Sequence, residues 1–112
     1  MTLPQVPAVL VSTSVDTEAA ALALADAVVA DRLAACVHVA GPVTSIYRWQ
    51  GAIERGPEWT CQIKTTPDRA AALIERIRAV HPYQLPEILV VPVVGGDPEY
   101  LAWLAESTAP NP

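Results

Sequence analysis

The part of the chain best suited to do chemistry is the segment HPYQLPEILV, residues 81–90. It brings an imidazole (His81), a phenol (Tyr83) and a carboxylate (Glu87) close together, and it includes two prolines. Proline rings fix the backbone φ angle, so this loop is stiff and holds its polar side chains in set directions. These residue types and their spacing predict an ordered binding segment.

Lys64 is the nearest candidate cation for this segment. It lies at the end of a predicted strand, where it is available to Glu87, the carboxylate just before another apolar strand. We expect an ordered polar pocket formed by Lys64, Tyr83 and Glu87. The alternative is a solvated turn in which His81 serves only to interact, when protonated, with the C-terminal end of a helix dipole.

Motifs typical of catalysis are absent from the sequence. It contains no G-x-S-x-G elbow, no phosphate-binding glycine loop, and no H-E-x-x-H or C-x-x-C metal pair. Ser12, His81 and Glu87 have the residue types of a hydrolytic triad, but without a motif such a set is common by chance. We therefore predict a protein that is not an enzyme and that holds no organic cofactor.

Length, composition and charge limit the class of protein. At 112 residues and 52% hydrophobic content, the chain fits one folded domain over residues 1–112, with an ordered core at about 7–107. The net charge of −5 and the scattered basic residues argue against nucleic acid and anionic membranes as partners. The longest apolar helical stretch, 19–30, is too short to span a bilayer. Without a signal-peptide pattern, we expect a cytoplasmic location.

The pattern of apolar residues and of helix-capping residues predicts five strand segments and three helices. The interruption at Gly41 and Pro42 separates the second strand segment from the third. The predicted strand segments are 6–12, 35–39, 44–49, 53–64 and 88–94, and the predicted helices are 16–32, 67–81 and 98–107. This order favours an α+β fold, a ferredoxin-like βαββαβ sandwich with helices on one face, a long β-ribbon and an additional C-terminal helix. In the second helix, the three- and four-residue spacing predicts one apolar face, made of Leu73, Ile74, Ile77 and Val80.

The ribbon's predicted register indicates that the two cysteines are free. With a turn at residues 50–51, Cys61 faces about Ala40, which is four residues or roughly 13 Å along the strand from Cys36. A disulfide requires Cα atoms within about 7 Å of each other. We therefore predict reduced thiols.

Aromatic residues on the ribbon suggest a partner subunit. Alternation along the strand places Tyr47 and Trp49 on one face, in a chain that has no phenylalanine and few large core residues. A projecting aromatic surface of this kind is expected to pack against another subunit.

Five segments together resemble the CutA divalent-cation tolerance family, in the expected order over residues 9–107. They are LAACV (33–37), TSIYRWQG (44–51), KTT (64–66), HPYQLPEIL (81–89) and GDPEYLAWL (96–104). The resemblance implies a ferredoxin-like subunit in a tight, PII-like homotrimer, whose ribbon strands extend the sheets of neighbouring subunits. It also implies clefts between subunits, lined by Trp49, Glu58, Lys64, Tyr83 and Glu87.

The same resemblance implies an association with divalent cations, copper above all. Some members carry a cysteine where this chain has Ser12 and a second histidine where it has Val80. With both replaced, His81 and Glu87 remain as candidate ligands, and we expect weak binding. The function predicted first is a trimeric, non-enzymatic protein of cation tolerance. The alternative is a PII-like sensor or scaffold that binds a small anionic metabolite or a protein in the intersubunit cleft.

Overall fold

A computed structural model describes residues 2–110 and shows four strands and three helices. The strands are β1 (Ala8–Val15), β2 (Cys36–Trp49), β3 (Ala52–Thr65) and β4 (Leu89–Val93), and the helices are α1 (Glu18–Ala30), α2 (Ala70–Val80) and α3 (Pro98–Ser107). The strands form one antiparallel sheet in the order β2-β3-β1-β4. The predicted ferredoxin-like α+β fold is confirmed.

Helices α1 and α2 cover one face of the sheet, and burial along β1 alternates from Val9 onward. Val9, Val11 and Val15 are fully buried and join one hydrophobic cluster with Leu24 of α1 and Leu73 of α2. The intervening residues of β1 point to the opposite face. Part of that face is covered by α3, since Ala8 and Leu10 of β1 line a cavity together with Leu101 and Leu104 of α3.

Side-chain caps fix where two of the helices begin. The Thr17 hydroxyl accepts the Ala20 N–H at 3.1 Å at the start of α1, and Asp97 accepts the Tyr100 N–H at 2.9 Å at the start of α3. The predicted cap at Thr66 makes no such bond. A 3-10 turn, Pro67–Arg69, comes first, and α2 begins only at Ala70.

The two ribbon strands are joined by the predicted two-residue turn. Gln50 and Gly51 have φ angles of 50° and 82°, the left-handed values that a tight hairpin turn with the twist of the strands requires. The register holds from the turn to Val43 and then shifts by one residue at a bulge between Ala40 and Val43. The interruption predicted at the Gly41–Pro42 pair is therefore a bulge within one continuous strand.

Both cysteines are free thiols, as predicted. Because of the bulge, Cys61 faces Val39 rather than Ala40, a correction of one residue. Cys61 is fully buried, its thiol lies 3.7 Å from the Ala21 carbonyl oxygen, and burial raises its pKa. Cys36 is half-buried at the start of β2.

The end of α3 is fastened to the end of α1 by one arginine. Arg32 has a left-handed φ of 59°, and its guanidinium donates to the carbonyl oxygens of Glu106 and Ala109, both at 2.8 Å. A cation at this position also interacts favourably with the helix dipole.

None of the helices within residues 2–110 has the length and apolar content needed to cross a bilayer.

Two predictions about the buried faces need correction. β1 continues to Val15, beyond the predicted end at residue 12, because residues 13–15 continue to pair with β3, and the polar Thr13 is fully buried there. Val80, predicted on the buried face of α2, is 40% exposed at the last turn of the helix. Leu73 and Ile77 of the same predicted face are fully buried.

Candidate functional site

A cavity of about 560 Å³ lies between the ribbon, the end of β1 and the loop that follows α2. Its lining combines two carboxylates with aromatic and hydroxyl side chains: Ser14, Ser45, Ile46, Tyr47, Trp49, Glu58, Tyr83, Gln84, Leu85 and Glu87. This volume lies within the range of about 300–1,000 Å³ that is typical of small-molecule sites.

The pairing register of the two ribbon strands explains which side chains form the cavity wall opposite the loop. Residues at alternate positions share a face, and Val43 pairs with Glu58 across the strands. Tyr47 and Trp49 therefore project from the same ribbon face as Glu58, as the alternation predicted. Ile46 also reaches the cavity lining, although it starts from the opposite face.

Both ring nitrogens of His81 form hydrogen bonds, one within the cavity loop and one to the sheet. Its Nδ1 accepts the Tyr83 backbone N–H at 3.1 Å, which requires an unprotonated nitrogen. The proton of the neutral ring is then on Nε2, which donates to the Ser14 carbonyl oxygen at 2.9 Å. The ring is 9% exposed, so the imidazole is a nearly buried support of the loop.

Tyr83 extends this support across to the ribbon. Its hydroxyl donates to Glu58 at 2.8 Å, and its ring packs edge-on against His81 with centroids 4.9 Å apart. Burial raises the pKa of Tyr83, and the hydrogen bond and negative charge of Glu58 raise it further. The phenol therefore keeps its proton and serves as a fixed donor to the carboxylate.

Glu87 is the exposed carboxylate of the cavity. It accepts the Ser14 hydroxyl in a long hydrogen bond of 3.4 Å. Ser14 thus contacts two predicted site residues, since its carbonyl oxygen binds His81 and its hydroxyl binds Glu87.

Within one chain, these residues do not form a ready-made metal site. Both His81 nitrogens already have hydrogen-bond partners, so a metal ion would have to displace one of them. Across residues 2–110 no three histidine, cysteine or carboxylate side chains gather in a metal-binding group. The assignment of His81 and Glu87 as metal ligands stays a prediction.

The comparisons with known proteins agree with this architecture. The family model described as CutA1 divalent ion tolerance protein matches residues 9–107. The chain belongs to the CutA1 family.

Relatives of the CutA family resemble the chain over nearly its full length. The divalent-cation tolerance protein CutA of Thermus thermophilus is 45% identical over 95 residues, covering 85% of this chain and 92% of the relative. The solved structure of the Thermus thermophilus protein superposes with a TM-score of 0.88 at 43% identity and covers 91% and 99% of the two chains. A structure from Archaeoglobus fulgidus, titled as a periplasmic CutA, gives a TM-score of 0.88 at 27% identity, covering 91% and 99%.

Four of the five cleft residues expected from the CutA resemblance line one cavity: Trp49, Glu58, Tyr83 and Glu87. The fifth, Lys64, lies elsewhere in the single chain. Its ammonium group donates to the Tyr100 hydroxyl at 3.3 Å, and the residue borders a different cavity. The expected pocket of Lys64 with Tyr83 and Glu87 does not form within the single chain.

Sequence reasoning missed Ser14, Ser45 and Gln84 as parts of the cavity. The alternation that placed Tyr47 and Trp49 on one face also includes Ser45, so that residue was open to prediction. Ser14 was not open to prediction, because its place in the cavity lining depends on β1 continuing beyond its run of apolar residues. For Gln84 the sequence has no signal beyond its position in the stiff loop.

Proposed function

We propose that this protein is a non-enzymatic homotrimer that contributes to divalent-cation tolerance by weak cation binding in the cavity. The observation that carries the proposal is the charge of the lining, which includes Glu58 and Glu87 but no lysine or arginine among the described residues. Such a cavity attracts cations and disfavours anions. The printed name of the CutA relatives supports the same role.

The geometry also supports weak binding. Glu58 and Glu87 each accept a hydrogen bond already, from Tyr83 and Ser14. His81 could bind a metal ion only after losing one of its two hydrogen bonds, which lowers the net gain. Copper and zinc remain the predicted ions, with Glu87 as the accessible ligand and His81 as the second.

Exposed apolar residues on two elements support the trimer. Ile53 on the ribbon is 69% exposed and Val94, just after β4, is 87% exposed in the single chain. Strands β2 and β4 are the two edges of the sheet, whose unpaired backbone groups favour pairing with another chain. Addition of a ribbon edge to the β4 edge of a neighbour would cover both surfaces.

Light scattering tests the assembly. We expect a mass close to three times the 11.9 kDa of one chain at micromolar concentration. A mass near that of one chain would overturn the trimer.

Calorimetric titration with copper and zinc tests the cation site. We expect weak, saturable binding that is reduced in Glu87→Gln and in His81→Ala. Glu75→Gln removes an exposed carboxylate on α2, away from the cavity, and is the control expected to bind like the wild type. Unchanged binding in His81→Ala would show that the imidazole is not a ligand, and unchanged binding in Glu87→Gln would remove the cavity from the proposal.

A second candidate function is a sensor or scaffold whose cavity, or a cleft completed by a neighbouring subunit, binds a small metabolite or a protein. The cavity volume of about 560 Å³ favours it. The lining carboxylates favour a cationic or neutral ligand, whereas an anionic ligand would need Lys64 from a neighbour. A thermal-shift screen of organic cations, nucleotides and organic anions tests this function. A clear response to metals without any response to these compounds would reject it.

We further propose a cytoplasmic location without nucleic-acid or membrane partners. The acidic net charge of −5 supports the absence of both partners. Cell fractionation with a periplasmic marker tests the location, and recovery of the protein with that marker would contradict it.

A further inference from the structure

The two faces of the ribbon differ in charge beside the acidic cavity, the space of about 560 Å³ between the ribbon, the end of β1 and the loop that follows α2. Tyr47 and Glu54 are cross-strand partners on the face that also presents Glu58. Arg48 and Arg55 occupy intervening positions and start from the opposite face. Neither arginine of the ribbon lines the cavity, so its negative charge is not neutralised from this side.

Negative charge gathers around Tyr83 in the cavity wall. Glu58 and Glu87 line the cavity, and the charge of Asp16 contributes, after burial and Glu58, to raising the pKa of Tyr83. Glu58 accepts the Tyr83 hydroxyl at 2.8 Å, and Glu87 accepts the Ser14 hydroxyl at 3.4 Å. Since an ionised carboxylate has about four acceptor sites, both groups can accept further hydrogen bonds from a ligand.

Two aromatic side chains of the ribbon share the cavity with these carboxylates. Tyr47 is 49% exposed and Trp49 is 38% exposed, and both line the cavity. Within residues 2–110, neither ring packs against another aromatic ring or lies under a cation. The face of an aromatic ring attracts cations, that of tryptophan most strongly. Rings and carboxylates in one cavity therefore favour a cation that also has apolar surface.

We propose that the acidic cavity binds a primary organic ammonium ion with a small apolar or aromatic body. The ammonium group donates hydrogen bonds to Glu58 and Glu87, and the body lies against Tyr47 and Trp49. Charge-assisted hydrogen bonds of this kind are about twice as strong as neutral ones. This inference rests on the second candidate function above, for which it names the class of ligand.

The lining distinguishes this ligand from other ions. A metal ion would use the carboxylates and leave the apolar lining, which includes Ile46 and Leu85, in contact with water. A quaternary ammonium ion has no N–H group to donate to the carboxylates. An anion would face Glu58 and Glu87 without a lysine or arginine among the described lining residues.

The proposed subunit assembly does not by itself fill the acidic cavity. Strand addition pairs backbone groups along the edge of β2, in the plane of the sheet. The side chains that line the cavity instead stand out from the face of the ribbon. A neighbouring chain can therefore border the cavity and leave it open, and binding is measured on the assembled protein.

The probe is 2-phenylethylamine, which is protonated at pH 7 because alkyl amines have pKa values of about 10. In protein grown with isotope-labelled tryptophan, the three indole N–H groups of the chain give separate NMR signals, and Trp49→Leu identifies that of Trp49. We expect the amine to shift the Trp49 signal saturably. We expect 2-phenylethanol, the neutral analogue, to bind at least about tenfold more weakly, because it makes no charge-assisted hydrogen bond.

Variants followed by calorimetry separate the contributions of charge and ring. Glu58→Gln keeps an oxygen that can accept the Tyr83 hydroxyl but loses the charge, and it should weaken amine binding at least about fivefold. Glu54→Gln removes the same charge from the same strand, outside the cavity lining, and should bind like the wild type. Trp49→Leu should weaken amine binding about three- to thirtyfold and leave copper binding unchanged.

Three results would each overturn the ammonium proposal: no saturable shift of the Trp49 signal, equal binding of 2-phenylethanol, or unchanged amine binding in folded Trp49→Leu. Failure of this proposal can be told apart from failure of the proposed functions. Copper or zinc binding without amine binding rejects the ammonium ligand and leaves the role in cation tolerance intact. A thermal-shift response to nucleotides without one to the amine rejects the ammonium ligand and leaves the sensor function intact.

Discussion

The Nε2 atom of His81 lies 2.9 Å from the carbonyl oxygen of Ser14, so the residue that ends α2 is bonded directly to the edge of the acidic cavity in β1. The same ring accepts the Tyr83 N–H, and the Tyr83 hydroxyl reaches Glu58 on the ribbon. One continuous set of hydrogen bonds thus links β1, the loop and β3. The shape of the cavity depends on this set.

Replacing His81 by alanine should therefore destabilise the fold even in the absence of metal. The change leaves the Ser14 carbonyl and the Tyr83 N–H without their partners, and we expect the free energy of unfolding to decrease by about 1–3 kcal/mol. Urea denaturation measures this quantity. His38→Ala, at the exposed second histidine of the chain on β2, is the control expected to change it by less than about 0.5 kcal/mol.

The phenol of Tyr83 should make stability sensitive to alkaline pH. Its pKa is higher in the folded chain than the usual value of about 10, so the unfolded chain loses this proton first. The contribution of Tyr83 is complete below pH 10 and is lost as the pH rises above it. We expect the free energy of unfolding to fall less steeply above pH 10 in Tyr83→Phe than in the wild type, and parallel curves would contradict the assignment.

The sequence predicted the order of elements and the turn of the ribbon because both depend on local patterns. Alternation, helix caps and the Gln50–Gly51 pair each act over a few residues, and the structure matches them except at Thr66, which makes no capping bond. The ends of β1 and α2 were harder to predict, because burial of Thr13 and exposure of Val80 depend on neighbours distant in sequence.

The same distinction applies to the site. The grouping of Tyr83 with Glu87 at one cavity was predictable from their short spacing. That both His81 nitrogens are occupied was not, since it requires Ser14 to lie beside the end of α2. The position of Lys64 beside Tyr100 likewise results from how α3 packs on the sheet, a contact between residues 36 positions apart.

The bulge in β2 should be intolerant of a larger residue at Gly41. A Cβ atom there would lie 2.5 Å from the Trp59 ring and 3.0 Å from the Glu58 carbonyl oxygen, so the indole would have to move. We expect Gly41→Ala to lower the free energy of unfolding by about 1–3 kcal/mol. Gly56→Ala, where an added Cβ meets no atom within 4 Å, should be neutral, and equal thermal stability of the two variants would contradict this account.

A charge placed on β4 should disrupt the proposed trimer. Leu89 is 57% exposed on this edge strand, and a lysine there would have to be desolvated in an interface between subunits. We expect Leu89→Lys to shift the mass measured by light scattering towards that of one chain. Leu22→Lys introduces the same charge at a similarly exposed position of α1 and should leave the mass unchanged.

The bonds from Arg32 to the end of α3 should stabilise that helix locally. Arg32→Ala removes two hydrogen bonds from a charged donor, and we expect a loss of about 1–3 kcal/mol, with faster amide hydrogen exchange near the end of α3. Arg76→Ala breaks only an exposed ion pair with Asp31 and should cost less than about 1 kcal/mol. Uniform exchange changes along the chain would argue against a local effect.

The rate at which a reagent modifies the buried thiol of Cys61 reports how often the core of the protein opens. A thiol reagent needs a thiolate and physical access, and the folded chain denies both, because Cys61 is fully buried and burial raises its pKa. Alkylation of Cys61 can therefore proceed only as fast as the sheet and α1 separate. We expect Cys36, half-buried at the start of β2, to react earlier in the same sample and to provide the reference rate.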